Sequence, residues 1–292
     1  MLAGTPSPVS VEESYRRCAA LARSHYENFT VASRFLPAEL RRHLCAIYAF
    51  CRTVDDLGDE YAGDRLRALD LWEQDLRRCY GGTPHHPYLT ALRETIARFA
   101  IPEEPFLRLI EANRMDQRIS RYRTYGDLAR YCENSANPVG RLVLYVCGYR
   151  DERRQLLADA TCTALQLTNF WQDVARDHAA GRIYLPLEDM ERFGYTEGDL
   201  DRHVVNDAFR ELMAFQVGRT RTLFQRGGEL LGTLQGRTRL AVALFSAGGL
   251  RVLELIERRG YDVLSDRPVL SGRARLLLAA KTLVGLGAAG RA

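Results

Sequence analysis

The stretch LRRHLCAIYAFCRTVDDLGDE, residues 40–60, decides the fold, because its apolar residues recur at helical spacing and lead directly into a cluster of acids. On an ideal helix, Leu44, Tyr48 and Asp55 project within about 40° of one another. Asp59 follows Asp55 by four residues, so both carboxylates continue the inward-facing stripe. A buried carboxylate is costly unless a cation or hydrogen bonds compensate its charge. The pattern therefore indicates either a cation site or a solvated acidic end of the helix.

A second segment, LQLTNFWQDVARDHAAGRIYLP at residues 165–186, also has helical periodicity. One narrow face of it carries four oxygen-bearing side chains, at spacings of three, four and four residues: Gln166, Asn169, Asp173 and Asp177. Short carboxylate and amide side chains in a column without arginine suit a hard cation. The same column could also be a solvent-exposed face, and this segment alone leaves both interpretations open.

The two segments each carry an Asp-x-x-x-Asp pair, in helices far apart in the chain. If the helices face each other across a helical core, the pairs form a carboxylate cage that suits Mg²⁺ together with phosphate oxygens. The predicted chemistry is departure of a diphosphate, with Arg52 and Arg182 as further hydrogen-bond donors. The carbocation left behind needs aromatic and apolar walls. Candidates for these walls, each of which could instead be ordinary core packing, are Phe29, Tyr48, Phe50, Tyr131 and Tyr184.

The composition is that of an ordinary folded protein: 292 residues, of which 46% are hydrophobic and 27% charged. The net charge of +4 and the lack of a dense basic run argue against a nucleic-acid partner. Helical periodicity extends over most of the chain, including residues 125–148 and 151–178, and no alternating strand pattern occurs. The sequence therefore predicts an all-α protein. We expect a single domain over residues 1–292, with a core at about 11–260 and a C-terminal helix at 272–287.

The seven cysteines are scattered without a C-x-x-C pair, so neither a disulfide framework nor a zinc site is indicated, and a reducing cytosol is expected. Residues 1–10 lack the basic and apolar regions of a signal peptide. The longest apolar stretch, residues 276–290, is interrupted by Lys281 and is shorter than a membrane span of about 20 residues. We therefore expect a cytoplasmic protein with at most peripheral contact at a membrane surface.

The motifs YAFCRTVDDLGDE (48–60) and LQLTNFWQDVARDHAAGRIYLP (165–186) resemble those of the squalene/phytoene synthase family, and the resemblance covers about residues 11–260. It implies an isoprenoid-synthase helical bundle with a central cavity between two Asp-rich helices. It also implies an isoprenoid diphosphate substrate and several Mg²⁺ ions that bridge to it. The metal ligands that the matching positions imply are Asp55, Asp59, Asn169, Asp173 and Asp177.

The resemblance and the chemistry of the residues together give further roles around the diphosphate. The residues expected to bind substrate are His25, Asn28, Phe29, Arg52, Tyr131, Gln166, Asn169 and Arg182. The residues expected to be catalytic are Tyr48, Arg52, Asn137 and Tyr184. Asn137 and Arg141 flank Pro138 at an expected helix break, where they would place water or contact the diphosphate. Asp116 and Gln117 end another helix, where the pair would either line the site or cap the helix.

Three segments are similar to one branch of that family, the bacterial hydroxysqualene synthases of hopanoid pathways. They read HYENF at 25–29, NSANPVG at 134–140 and NFWQD at 169–173. The similarity implies Mg²⁺-dependent conversion of presqualene diphosphate to hydroxysqualene. It also implies functional coupling to a presqualene diphosphate synthase and to a flavin-dependent hydroxysqualene reductase. No nicotinamide or flavin is expected in this chain, because no Gly-x-Gly-x-x-Gly motif follows a predicted strand.

Two other functions are compatible with the same family. One is head-to-head condensation of two prenyl diphosphates to squalene or phytoene. The other is a non-catalytic assembly factor built on the same fold. Both Asp-x-x-x-Asp pairs are intact, which disfavours the assembly factor.

Overall fold

The computed structural model describes residues 9–24 and 36–289, with side chains to residue 285, and this part of the chain is built from helices. The first half contains α1 (Val11–Ser24), α2 (Ala38–Asp59), α3 (Arg65–Gly81), α4 (Pro87–Phe99), α5 (Glu104–Asp116), α6 (Tyr125–Ser135) and α7 (Asn137–Val146). The second half contains α8 (Glu152–Gln172), α9 (Val174–Ala179), α10 (Leu187–Arg192), α11 (Glu197–Asp201), α12 (Asp207–Gly228), α13 (Gly236–Arg258) and α14 (Gly272–Ala289). A 3-10 helix, Glu229–Thr233, joins α12 to α13. Among the residues described, the extended structure amounts to an isolated bridge between Arg121 and Ile183, so the all-α prediction is confirmed.

Two helices that the periodicity predicts as continuous are each interrupted once. The segment 125–148 divides into α6 and α7 at Ala136, because Pro138 lies in the first turn of α7 and has no backbone N–H to continue a helix from before it. The segment 151–178 divides into α8 and α9 at Asp173, whose ψ of 14° is outside the helical range. Both interruptions fall beside residues that the sequence predicts to be functional.

The buried apolar side chains form two main clusters, one mostly from the first half of the chain and one that combines α5 and α6 with helices of the second half. In the first, Phe50 of α2 packs with Phe106 of α5. In the second, Trp171 of α8 is fully buried, and its Nε1 donates to Thr220 Oγ1 of α12 at 2.8 Å. The helix that carries Asp55 and Asp59 belongs to the first cluster, and α8 and α9, at whose junction Asp173 lies, belong to the second.

Two smaller expectations concern cysteines and membrane spans. All seven cysteines, at positions 18, 45, 51, 79, 132, 147 and 162, are free thiols. Over the residues described, no helix combines the length and the apolar character needed to cross a bilayer.

Helices α8 and α12 approach closely because α12 presents a glycine to α8. A Cβ added at Gly227 would lie 2.9 Å from the backbone nitrogen and 3.1 Å from the Cα of Thr161. Contacts this short with a helix backbone cannot be relieved by a side-chain rotation. The adjacent Gly228 has no atom within 4 Å of such a Cβ, so only one glycine of the pair is required by packing.

Gly227→Ala is expected to lower the free energy of unfolding by about 1–3 kcal/mol, because the added methyl overpacks a contact with rigid backbone. Gly228→Ala is the matched control, since it adds the same methyl to the same helix without a neighbour and should cause no loss. Urea unfolding followed by circular dichroism measures both variants. Equal stabilities of the two would contradict this packing.

Candidate active site

The acidic end of α2 is held against α5. Asn113 Nδ2 donates to Asp55 Oδ1 at 3.3 Å, and Gln117 Nε2 donates to the carbonyl oxygen of Gly58 at 3.0 Å. Gly58 permits this approach, since a Cβ there would lie 3.0 Å from Cγ of Asn113. The last turn of α2, which carries the first acidic pair, is thereby fixed beside the end of α5.

Arg182 joins the second acidic segment to the first. It lies in the loop after α9, and its Nη2 donates to Asp59 Oδ1 at 3.0 Å. The loop turns at Gly181, which has a left-handed φ of +83° that glycine adopts without strain. Beyond Arg182, the backbone N–H of Ile183 donates to the carbonyl oxygen of Ser120 at 2.9 Å. These contacts bring the ends of the two acidic segments together.

Asp116, at the end of α5, is a further acid in this group. Its Oδ2 accepts a hydrogen bond from Tyr131 OH at 2.8 Å, and its buried Oδ1 has no hydrogen-bond partner among the residues described. Burial raises the pKa of Asp116 to about 6, with Arg182 opposing the rise and Asp59 adding to it. Of the two interpretations that the sequence leaves open for Asp116, the structure supports the one in which it lines the site.

The guanidinium of Arg182 is held by charges from several elements. Burial works against its charged form, but Asp116, Tyr184 and Asp59 together raise the pKa of Arg182. An arginine side chain of this kind stays charged wherever the protein is folded and presents several N–H groups in a fixed plane. It is therefore suited to donate hydrogen bonds to a multiply charged anion that enters this group of acids.

The predicted column of Asp173 and Asp177 survives, but the continuous helix that was expected to carry it does not. Arg267 makes a bidentate ion pair with Asp173, with Nη2 2.8 Å from Oδ2, and Gln172 Nε2 donates to the carbonyl oxygen of Pro268. These contacts with the segment after α13 outweigh the local helical preference at Asp173. The Asp177 backbone N–H still donates to the Asp173 carbonyl oxygen at 2.8 Å, so the four-residue spacing is kept across the interruption.

The surroundings of Asp177 show how crowded the carboxylates are. Burial raises the pKa of Asp177 to about 7, the charge of Asp173 adds to the rise, and Arg176, Arg182 and Arg267 oppose it. Such repulsion is relieved when a divalent cation binds between carboxylates.

The fit of these residues to Mg²⁺ can be judged from the types of donor present. In the described part of the chain, no three acidic, histidine or cysteine side chains converge as a ready-formed metal site. The donors are nonetheless hard carboxylate oxygens, and Mg²⁺ characteristically takes one or two of these and fills its remaining positions with water and substrate phosphate. The residues therefore suit Mg²⁺ that arrives together with a diphosphate.

Four aromatic rings form a wall beside the acids. Phe170 and Tyr184 stack with centroids 3.8 Å apart, and Tyr122 stacks on Tyr184 at 5.7 Å. Tyr131 packs against all three rings. Burial raises the pKa of both Tyr131 and Tyr184, so their hydroxyls remain neutral. Neutral aromatic faces next to an anion-binding group suit a carbocation that forms when the anion departs.

A small apolar pocket, of about 10 Å³, lies farther along α2. Its walls are Leu36, Leu44, Val143, Thr238, Ala241, Val242 and Phe245. Leu44 precedes Asp55 by eleven residues, which corresponds to about 16 Å along a helix. The same helix therefore lines this small apolar pocket and ends at the acidic group of the site.

The other predicted residues on the described helices have varied surroundings. Tyr48 is buried in α2, and Asn137 is buried at the start of α7, where its Oδ1 accepts a hydrogen bond from Thr163 Oγ1 at 2.8 Å. On α8, Gln166 is half-buried and Asn169 is exposed.

Among the predicted substrate-binding residues, Arg52 is paired with an acid, and three candidates near the N-terminus are not described by the structure. Arg52 forms an ion pair with Glu60, the residue that follows its helix, with 2.8 Å between Nη2 and Oε1. The predicted substrate-binding residues His25, Asn28 and Phe29 lie outside the described residues.

For two predictions that left alternatives open, the structure favours one alternative. Asp55 and Asp59 are exposed, with 52% of the Asp59 side chain accessible, and each accepts a hydrogen bond, from Asn113 and Arg182 respectively. Phe50 is a core residue packed between Trp72 and Phe106, so it is no wall of the site.

Sequence reasoning missed three residues of the site: Asn113, Tyr122 and Arg267. Asn113 could have been found, since it lies one helical turn before Gln117 on a helix whose other inward positions are apolar. Arg267 is 94 residues from Asp173, and no local spacing links the two.

Comparison with known proteins identifies the family. A family model described as squalene/phytoene synthase matches residues 22–274. The chain belongs to the squalene/phytoene synthase family. A phytoene synthase from Arthrospira platensis is 34% identical over 276 residues, with 89% of each chain covered.

Two solved structures are similar to this chain over most of its length. The squalene synthase HpnC from Alicyclobacillus acidocaldarius is 49% identical, with a TM-score of 0.84, over 87% of this chain and 98% of that chain. A dehydrosqualene synthase has a TM-score of 0.86 at 24% identity, over 95% and 98% of the two chains, and supports the fold alone.

Asp116→Asn is expected to have a free energy of unfolding about 1–3 kcal/mol higher than the wild type at pH 8. The pKa of about 6 in the folded state is above the ordinary 3.8, so the wild type loses stability as the pH rises from about 4 to about 6. The amide has no charge to bury and still accepts a hydrogen bond from Tyr131. Urea unfolding in EDTA at several pH values between 4 and 8 measures the difference.

The control for this pH series is Glu211→Gln, which removes an exposed carboxylate on α12. Because Glu211 is exposed, this substitution should change the free energy of unfolding by no more than about 0.5 kcal/mol. A stability difference between Asp116→Asn and wild type that does not change with pH would contradict the assignment.

Proposed function

We propose that this protein converts presqualene diphosphate and water to hydroxysqualene and diphosphate in a Mg²⁺-dependent reaction. The observation that carries the proposal is the meeting of Asp59, Arg182 and Asp116 next to the stacked rings of Phe170 and Tyr184. The anion-binding group adjoins an aromatic wall. The leaving diphosphate would therefore bind at the charged group, and the cation that remains would lie against the aromatic rings. The 49% identity to the squalene synthase HpnC supports a squalene-type substrate.

The diphosphate would bind between the two acidic segments. Arg182 and Arg267 provide fixed guanidinium groups there, each already paired with a carboxylate, Asp59 and Asp173 respectively. Mg²⁺ bound by these carboxylates would neutralise the charge of the leaving diphosphate. Once that charge is shared with a metal, both arginines are free to donate to phosphate oxygens.

The cyclopropylcarbinyl cation that remains would be stabilised by ring faces and protected from early capture by apolar surroundings. Tyr184, Phe170 and Tyr131 are buried, and their side chains offer no charged nucleophile. Capture by water requires one ordered water near the rearranged cation. Asn137 can hold that water, because its Oδ1 keeps a second lone pair beyond the bond from Thr163.

The product is an alcohol, so a separate enzyme must reduce it if squalene is the end point. A flavin-dependent hydroxysqualene reductase would serve this role, and a presqualene diphosphate synthase would supply the substrate. We propose both as functional partners of this protein.

The alternative function is head-to-head condensation of prenyl diphosphates. Curated relatives favour it, since the phytoene synthase of Arthrospira platensis is 34% identical over 89% of the chain. The acidic group and the aromatic wall would serve either reaction. The two functions differ in the substrate that the protein consumes.

The proposed function is tested by a product assay with Mg²⁺ and without NADPH on two substrates in parallel. Presqualene diphosphate should yield hydroxysqualene, and farnesyl diphosphate should yield no product, with extraction and mass spectrometry as the readout. Formation of presqualene diphosphate or a C30 hydrocarbon from farnesyl diphosphate would establish condensation instead. Geranylgeranyl diphosphate is included so that phytoene formation is also detected.

Asp59→Asn and Asp173→Asn are each expected to lower turnover of presqualene diphosphate by about 10²–10³-fold, because each removes charge that positions a metal and an arginine. EDTA should abolish turnover in the wild type, and added Mg²⁺ should restore it. Glu211→Gln serves as the control, and circular dichroism confirms that each variant is folded. Full turnover by either Asp variant would contradict the proposed site.

A further inference from the structure

Exposed apolar side chains are concentrated in one part of the described chain. Those between residues 269 and 284 are Val269, Leu276, Leu277, Leu283 and Val284. The other large exposed apolar residues, Tyr61, Leu71, Tyr80 and Leu156, are spread over three other regions of the fold. Single exposed apolar residues are ordinary, but a contiguous group indicates a surface that is covered by something.

Four of these residues share one face of α14. Leu276 and Leu283 are seven residues apart, as are Leu277 and Val284, so both pairs project to the same side of the helix. Leu276 is 74% and Val284 is 73% exposed, and Ala280 between them is exposed as well. The opposite side, which includes Leu278, is partly buried. The helix thus presents an outer apolar face that no other described element of the chain covers.

The charge of this region indicates which kind of partner could cover the apolar face of α14. Residues 267–292 contain five basic residues and no acidic residue. On α14 itself these are Arg273, Arg275 and Lys281, all exposed. A two-fold contact between copies would bring this positive charge against itself. A bilayer that contains anionic lipids complements both the apolar face and the basic residues.

The helix is also attached to the rim of the candidate site. Arg267, which pairs with Asp173, and Pro268, whose carbonyl oxygen accepts from Gln172, lie only a few residues before α14 begins. A surface that rests on α14 would therefore lie near the acidic segment at Asp173.

We propose that the outer face of α14 docks the protein on anionic lipid bilayers. Leu276, Leu277, Leu283 and Val284 enter the boundary between headgroups and acyl chains, while Arg273 and Lys281 contact the anionic headgroups. The helix lies in the plane of the interface. Docking then places the active site beside the phase in which a water-insoluble isoprenoid dissolves.

The test is flotation of the full chain with vesicles of phosphatidylcholine containing 30% phosphatidylglycerol, and with vesicles of phosphatidylcholine alone. We expect the protein to float with the anionic vesicles and to bind less at high salt, since screening weakens the headgroup contacts. The double variant Leu276→Gln/Val284→Gln should reduce the ratio of bound to free protein at least tenfold. The double variant Arg273→Glu/Lys281→Glu should reduce it as strongly, and only for the anionic vesicles.

The matched control is Leu71→Gln, which replaces a leucine that is 56% exposed on α3. It should float like the wild type, and equal thermal midpoints show that all variants are folded. The proposal is overturned if the wild type stays with the soluble fraction, or if Leu276→Gln/Val284→Gln binds vesicles like the wild type. It is also overturned if light scattering reveals a dimer that this variant converts to a monomer while vesicle binding is absent. The vesicles contain no isoprenoid diphosphate, so failure here is distinct from failure of the proposed reaction.

Discussion

Arg182 reaches from the loop after α9 to Asp59 at the end of α2, and the candidate site depends on this link between distant parts of the chain. The ion pair is half-exposed and contributes little stability by itself. Its importance is geometric, because it fixes a permanent positive charge among acids that would otherwise repel one another. Burial raises the pKa of both Asp116 and Asp177, which indicates that the arginines compensate these charges only in part.

Because the arginines balance the charge of the acids only in part, the group can still attract a divalent cation. A group of acids fully neutralised by arginines would have little reason to bind a divalent cation. A group with no arginines would exclude a diphosphate. In the observed set, Arg182 and Arg267 each pair with one acid, so both arginines would become hydrogen-bond donors to phosphate if metal ions took those carboxylates, as we propose.

The sequence could predict the helices and the two acidic segments because both depend on local spacing. Leu44, Tyr48 and Asp55 fall on one stripe of a helix, and so do Asn169 and Asp173. Whether Asp55 and Asp59 are exposed could not be decided from local spacing, which left a solvated acidic end of the helix and a cation site both open. The contact between Arg267 and Asp173 could not be predicted from local spacing either, because the two residues are 94 positions apart and only tertiary folding brings them together.

The features that serve diphosphate departure are shared by condensing and rearranging enzymes alike, so they do not distinguish the two reactions. Asp59, Arg182 and the ring of Tyr184 would act on any isoprenoid diphosphate. Discrimination must therefore arise where the hydrocarbon is held and where the cation is captured. Under the proposed function, the buried amide of Asn137 at the start of α7 would hold the capturing water, and Val143 of the same helix lines the apolar pocket beside Leu44. A change in the position of α7 would move both residues, so under the proposed function this helix is where we expect the choice of substrate and the choice of product to be coupled.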